Sequence, residues 1–242
     1  MRVVFLSDIH ANFPALCAAL DRARLLKAEQ CIVAGDIVGG GPHPVEVIRL
    51  LRERSVLAVG GNVERKLLSL RGKNKRRKRW LKRPHCAHLV WTARQLGEAE
   101  WDWLAALPAV LEMDLESVPV QVVHGTPHSD EEYIFPSVTA EALQRFELDP
   151  AVRVLVCGHS HIPFTKKVAG IRVINCGAVG RPVDGDSRGA FAVAEFNGPT
   201  AVNARIVRFR YAVNDLVADL EDRAVPGARG GEYLRGVKLR GV

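Results

Sequence analysis

The chain has 242 residues, enough for one α/β domain with a sizeable core. No apolar run approaches the ~18 residues a membrane span needs, and the opening run VVFL is cut short at Asp8, so neither a membrane protein nor a signal segment is expected and the reading is a soluble, cytoplasmic chain. The net charge of +7 has one source: nine Lys/Arg and no acid lie in RGKNKRRKRWLKR (71–83), and without them the chain carries −2, which excludes a basic domain in favour of one basic patch.

In chain order, RVVFLS (2–7) predicts a buried strand. Asn12 then caps a helix with Pro14 in its first turn and Leu16, Leu20 and Ala23 on one face. CIVA (31–34) predicts a second strand, VEVIRLLRE a second helix and SVLAV (55–59) a third strand. This β-α-β-α-β order implies parallel strands joined by right-handed crossovers. Residues 64–107 read as a helical insert carrying the basic run, with a break at Gly97. Strands follow at VLEMDL and PVQVV (110–123), a helix near 139–147, a strand at VRVLV (152–156) and a hairpin at FTKKVAG/IRVIN. GAFAVAEF and TAVNARIVRF are the last strands, a helix covers about 212–222 and a polar tail closes the chain. The expectation is a single domain over 1–242, built from two sheets flanked by helices.

Metal-binding residue types recur at the strand ends. The first strand ends in SDIH (Asp8, His10), the second in GD (Asp36) and the third in GN (Asn62). PVQVV ends in His124 and VRVLV in GHSH (His159, His161). Ligands of open α/β sheets bind at the carboxyl ends of strands. Seven oxygen and nitrogen donors there suit two divalent ions of the manganese, iron, zinc or nickel type, and the lack of cysteine donors argues against a structural zinc site. The five cysteines are scattered, odd in number and without CxxC, as expected in a reducing compartment.

D8-I-H10, G35-D36 with the following G-G-P42, G61-N62-x-E64, H124-G125 and G158-H159-S160-H161 resemble the five ordered blocks of the calcineurin-like metallophosphoesterases. N175-C-G177-A-V-G180-R-P182 and the YAVNDL segment are similar to its small prokaryotic phosphodiesterase branch. The resemblance implies a four-layer α/β/β/α sandwich of two mixed β-sheets with a dinuclear centre, manganese being the expected metal in vitro. It places Asp8, His10 and His161 on one ion, Asn62, His124 and His159 on the other, and Asp36 between them. Imidazole ligands need acceptors for their second nitrogen, for which Asp130 and Glu64 are candidates. The implied activity is hydrolysis of a nucleotide-type phosphodiester by a metal-bridging hydroxide.

Much of that family has a histidine after the GN asparagine, where this chain has Val63. A missing general acid costs about 10²–10⁴ in rate, mostly with poor leaving groups, which favours a diester over an alkyl monoester or a phosphoprotein. Among the unassigned histidines (His43, His85, His88, His128), His128 and His88 are the candidates for the missing proton donor. Arg181 and Arg188 are candidate phosphate clamps, with pairing to Asp184 and Asp186 as the alternative. The run 71–83 is a candidate nucleic-acid or polyphosphate contact, with Trp80 placed to stack on a base, against the plainer reading of a solvated loop. A non-catalytic module of the same fold that binds RNA or a protein is the alternative function. The pattern assigns no oligomeric state.

Overall fold

Alternation along RVVFL sends Val3 and Phe5 to one side of the first strand and Val4 and Leu6 to the other, and all four are fully buried. A strand buried on both faces needs a layer on each side. The computed structural model, which describes residues 1–198 and 202–238, supplies both.

The strands are β1 (Arg2–Leu6), β2 (Gln30–Ala34), β3 (Leu57–Val59), β4 (Val110–Leu115), β5 (Val118–Val123), β6 (Val154–Cys157), β7 (Phe164–Val168), β8 (Ile171–Asn175), β9 (Gly189–Phe196) and β10 (Val202–Phe209). The helices are α1 (Phe13–Leu25), α2 (Pro44–Glu53), α3 (Asn62–Leu68), α4 (Asn74–Leu81), α5 (Pro84–Gln95), α6 (Glu98–Ala105), α7 (Ala140–Gln144), α8 (Val213–Asp222) and α9 (Gly230–Arg235). One sheet has the order β10-β9-β1-β2-β3, the other β4-β5-β6-β8-β7. Within the first, β1, β2 and β3 run parallel and β9 and β10 antiparallel; within the second, β5, β6 and β8 run parallel and β4 and β7 antiparallel. Both sheets are therefore mixed, as expected. Val3, Phe5, Ile32 and Val59 meet Val120, Val122, Val154 and Ile174 between the sheets. Val4 and Leu6 face the helices, with Leu16, Ile48, Leu67 and Trp101. A third cluster lies under α7 on the outer face of the second sheet. Three apolar layers between four layers of secondary structure give the α/β/β/α sandwich. Among the described residues no helix is long and apolar enough to cross a membrane.

Local chemistry matches the elements. Asn12 caps α1 by accepting from Ala15 N at 3.0 Å, and its amide donates to Gly180 O at 2.8 Å, tying the helix to the loop after β8. The region 64–107 is helical (α3–α6), with Gly97 at the start of α6. The polar tail is a correction: α9 forms there, because Tyr233 buries itself against Leu216 and Leu220 of α8 and donates to Gly40 O at 3.3 Å. Trp91 packs on this C-terminal cluster, whereas Trp101 enters the main core.

Glu64 at the start of α3 fixes the loop after β2. It is buried, and its two oxygens accept from four backbone N–H groups: Asp36 (2.9 Å), Ile37 (2.9 Å), Val38 (3.0 Å) and Gly61 (2.8 Å). The Gly61 bond caps the helix. Burial and the Asp36 carboxylate push the Glu64 carboxyl up to about 7, against the pull of those donors. In Glu64→Gln one oxygen becomes an NH₂ facing N–H groups, leaving two donors orphaned at about 1–3 kcal/mol each. Chemical denaturation should show a loss of about 2–6 kcal/mol for this variant; a loss below about 1 kcal/mol would refute the anchoring role.

Candidate metal centre

The carboxyl ends of β1, β2 and β3 in one sheet and of β5 and β6 in the other open onto the same edge. There the chain leaves the strands in a strained way. Asp8 (φ 54°), His10 (49°), Asp36 (51°), His159 (62°) and His161 (57°) all adopt left-handed backbone, which costs non-glycine residues roughly 1–2 kcal/mol each. The sheets approach so closely here that side chains are excluded beside them. A Cβ on Gly35 would lie 2.7 Å from His124 Nδ1, and one on Gly158 1.8 Å from Ser7 Oγ. Hydrogen bonds cross between the sheets: His159 N donates to Asp8 Oδ2 at 2.9 Å, and His124 Nδ1 meets Ala34 O at 2.8 Å. Asn175, buried at the end of β8, donates to Gly158 O and to Ser160 Oγ and so shapes the GHSH loop.

The result is two groups of side chains whose ligating atoms converge: Asp8, His10 and His161, and Asp36, His124 and His159. His10 Nε2 lies 3.2 Å from His161 Nε2, and Asp8 Oδ1 lies 3.1 Å from the latter. In the second group His124 Nε2 lies 3.2 Å from both His159 Nδ1 and Asn62 Oδ1. Asp36 spans the two, with Oδ2 3.7 Å from His10 Nε2 and Oδ1 3.3 Å from His124 Nε2. All seven donors read from the strand ends therefore come together.

Their protonation fits cations. The Nδ1 atoms of His10, His124 and His161 face the main-chain carbonyls of Gly39, Ala34 and Arg181. A carbonyl only accepts, so Nδ1 carries the proton and the Nε2 lone pairs point into the site. These carbonyls do the work for which Asp130 and Glu64 were candidates: Asp130 pairs with Arg65 and Glu64 binds backbone N–H groups. Asp8 Oδ1, with no exposure, has no hydrogen-bond partner among the described residues. Asn62 Oδ1 faces only acceptors; turned over, the amide would donate to Asp36 and accept from Lys66 Nζ at 2.9 Å. Burial alone would lower His124, but the Asp36 carboxylate raises it to about 10. Burial alone would raise Asp8, yet His161 and His10 pull it well below the usual carboxylate range. The ionised Asp36 that holds a proton on His124 would favour a divalent cation for the same electrostatic reason, the cation taking that proton's place on Nε2.

The cleft over this centre has a volume of about 640 Å³. His10, Asp36, Asn62, His159, His161 and Arg181 line it, joined by Val63, Lys66 and His88. Arg181 Nη2 donates to Glu232 Oε2 at 2.9 Å, so α9 holds it in place. Arg188 instead pairs with Asp186 at 2.7 Å, away from the cleft-lining set. His128 is exposed and lines a neighbouring cavity with Thr126 and Arg145, not this cleft. His43 precedes α2 and faces Asp219 at 3.0 Å, while the side chain of His85 lies outside the described residues. Val63 donates its N–H to Asp36 Oδ1 at 2.9 Å and packs over Gly39, where a Cβ would meet it at 2.7 Å. In the basic run, only Arg71 is ion-paired among the described residues, to Glu98 and Asp102. Lys66 escaped sequence reasoning, although its place one helical turn after Asn62 was a usable signal.

The family model described as "Calcineurin-like phosphoesterase superfamily domain" matches residues 1–198. An uncharacterized protein of Methanocaldococcus jannaschii is 25% identical over 241 residues, covering 93% of each chain. Among solved structures, a metallophosphoesterase from Sphaerobacter thermophilus is 28% identical with a TM-score of 0.78, covering 98% of this chain and 100% of its own. A hypothetical protein from Pyrococcus horikoshii OT3, 21% identical, shares the fold at a TM-score of 0.85, covering 98% and 99%. With the strand-end donors, the sandwich and the family match in agreement, the chain belongs to the calcineurin-like phosphoesterase superfamily.

Proposed function

We propose that the chain is a dinuclear metal-dependent phosphodiesterase acting on nucleotide-type esters. The observation that carries this reading is the pair of facing acceptor groups joined by Asp36. Asp8, His10 and His161 would hold one divalent ion, Asn62, His124 and His159 the other, and Asp36 both. Imidazole with carboxylate suits manganese, iron, zinc or nickel over calcium. When bound, such a pair supplies Lewis acidity that lowers the pKa of water and neutralises phosphoryl oxygens. The chain's own residues do the rest. Arg181, oriented by Glu232, and Lys66, on the same cleft, offer positive charge to the non-reacting oxygens. Val63 offers no proton to the leaving oxygen. His88 lies on the same cleft and would donate a proton in its stead. That arrangement suits esters whose leaving group departs without much help, as in diesters with acidic alcohols.

The exposed basic helix α4 supports a contact with polyanionic substrate as well, binding with steep salt dependence. Turnover of bis(p-nitrophenyl) phosphate with Mn²⁺, abolished by EDTA, tests the main reading; a metal-loaded protein that turns over no diester yet binds RNA tightly would establish the non-catalytic alternative. Asp36→Asn should reduce turnover by at least about 10³-fold and lower metal content by mass spectrometry, since it removes the shared carboxylate; near-normal rates would refute the assignment. Val63→His should raise monoesterase relative to diesterase activity about tenfold or more, and an unchanged ratio would refute the role given to Val63.

A further inference from the structure

Among the described residues, two large aromatic side chains are exposed, Tyr133 (55%) and Phe135 (46%), and they stand together on the cleft. Their ring centroids are 5.5 Å apart at 26°. The Tyr133 ring in turn lies 4.4 Å from that of His159, nearly parallel at 6°. A stack thus runs from the metal centre outward, ending in apolar surface that the fold does not cover. Leaving such surface in water is costly, and singly scattered apolar residues are common, but an adjacent aromatic pair on a functional cleft is not scatter.

The loop is built to hold this pair rigid. Ile134, between the two rings, is buried in the core beneath the second sheet, and Asn175 donates to its carbonyl at 3.3 Å. Arg65 of α3 grips Asp130 through two bonds (2.6 and 2.9 Å) and Glu131 through a third (2.6 Å). Thr126 closes the loop onto Glu132 at 2.9 Å. Trp80 of α4 lines the same cleft, so the helical insert brings a further ring. Charge is divided correspondingly: Lys66, Arg181 and the candidate ligands occupy the cleft along with these apolar rings. A ligand that satisfies both needs an anionic ester and a planar π-face a short distance away, which is the shape of a nucleotide.

We propose that Tyr133 and Phe135, with Trp80, form a nucleobase subsite of this cleft, so that the enzyme selects nucleotide esters by stacking on the base. The inference rests on the phosphodiesterase reading above and adds the residues that choose the substrate. Stacking is tolerant of base identity, since every base has a π-face, so purine and pyrimidine esters should both be accepted.

Two diesters with the same leaving group, thymidine 5′-(p-nitrophenyl phosphate) and methyl p-nitrophenyl phosphate, isolate the nucleoside, and AMP against ribose 5-phosphate isolates the base. Manganese-loaded wild type should favour the thymidine ester by about tenfold or more in kcat/KM, the size of one base–aromatic stack. Phe135→Ala and Phe135→Leu should collapse that ratio towards one, mainly through KM, while Phe135→Trp retains it. A wild-type ratio near one, or a ratio unmoved in Phe135→Ala and Tyr133→Ala, would overturn the subsite while leaving the phosphodiesterase reading intact. Turnover of neither ester would instead count against the phosphodiesterase reading. Calorimetric titration with AMP and ribose 5-phosphate then decides the subsite. AMP binding about tenfold tighter, lost in Phe135→Ala, sustains it, and equal affinities overturn it.

Discussion

Everything at the open edge of this sandwich is arranged around one electrostatic demand: acceptor atoms are pressed against acceptor atoms. His10 and His161 present Nε2 atoms to each other at 3.2 Å, and a buried carboxylate oxygen of Asp8 lies 3.1 Å from one of them. Left alone, lone pairs so close repel, and burial removes the water that would screen them. The fold holds them there by over-determining every neighbour. Main-chain carbonyls fix three imidazole tautomers, and Glu64 gathers four N–H groups. Five of the seven donors accept left-handed backbone in return for aim. The strain is tolerable because it sits at the ends of strands whose own packing is complete, with Val4, Phe5, Ile32 and Val154 fully buried.

The remaining segments act on this centre from outside. The C-terminal helices reach it through Glu232, which holds Arg181, and Tyr233, which bonds to Gly40 O. The helical insert reaches it through Lys66, Trp80 and His88. The loop after β5 reaches it through Tyr133 on the ring of His159. Three stretches far apart in sequence therefore meet over one cleft, and differences among them can alter substrate choice without touching the donors below. Val63 belongs to this outer group in effect: its backbone serves Asp36, while its side chain only fills space over Gly39.

Strand alternation, the Asn12 cap and the Gly97 break are local signals, and the structure follows each of them. The donors were legible for a similar reason. Each follows a short apolar run directly, so its place at a strand end is a matter of a few residues. What escaped depends on distance in the fold. α9 looks like polar tail because Tyr233 is its one large apolar anchor in GGEYLR, and that ring is buried only by packing on α8. The acceptors for the imidazole N–H groups carry no side-chain signature at all, since any residue has a carbonyl. Tyr133 and Phe135 read as ordinary loop residues until Ile134 turns inward and leaves them on the cleft.

The sequence by itself determined which atoms are available: seven oxygen and nitrogen donors at five strand ends, a basic run confined to 71–83, and an alkyl group at position 63. Hydrophobic period and turn chemistry act over a few residues, so a linear reading captures them. Tertiary structure alone decided what those atoms meet. Joining two sheets at their carboxyl edges brought Asp8 against His161 across 152 intervening positions. It also put Asp36 3.7 Å from His10 of one group and 3.3 Å from His124 of the other, and set an aromatic stack beside them. Such proximity follows from the packing of whole layers, which no single stretch of chain encodes.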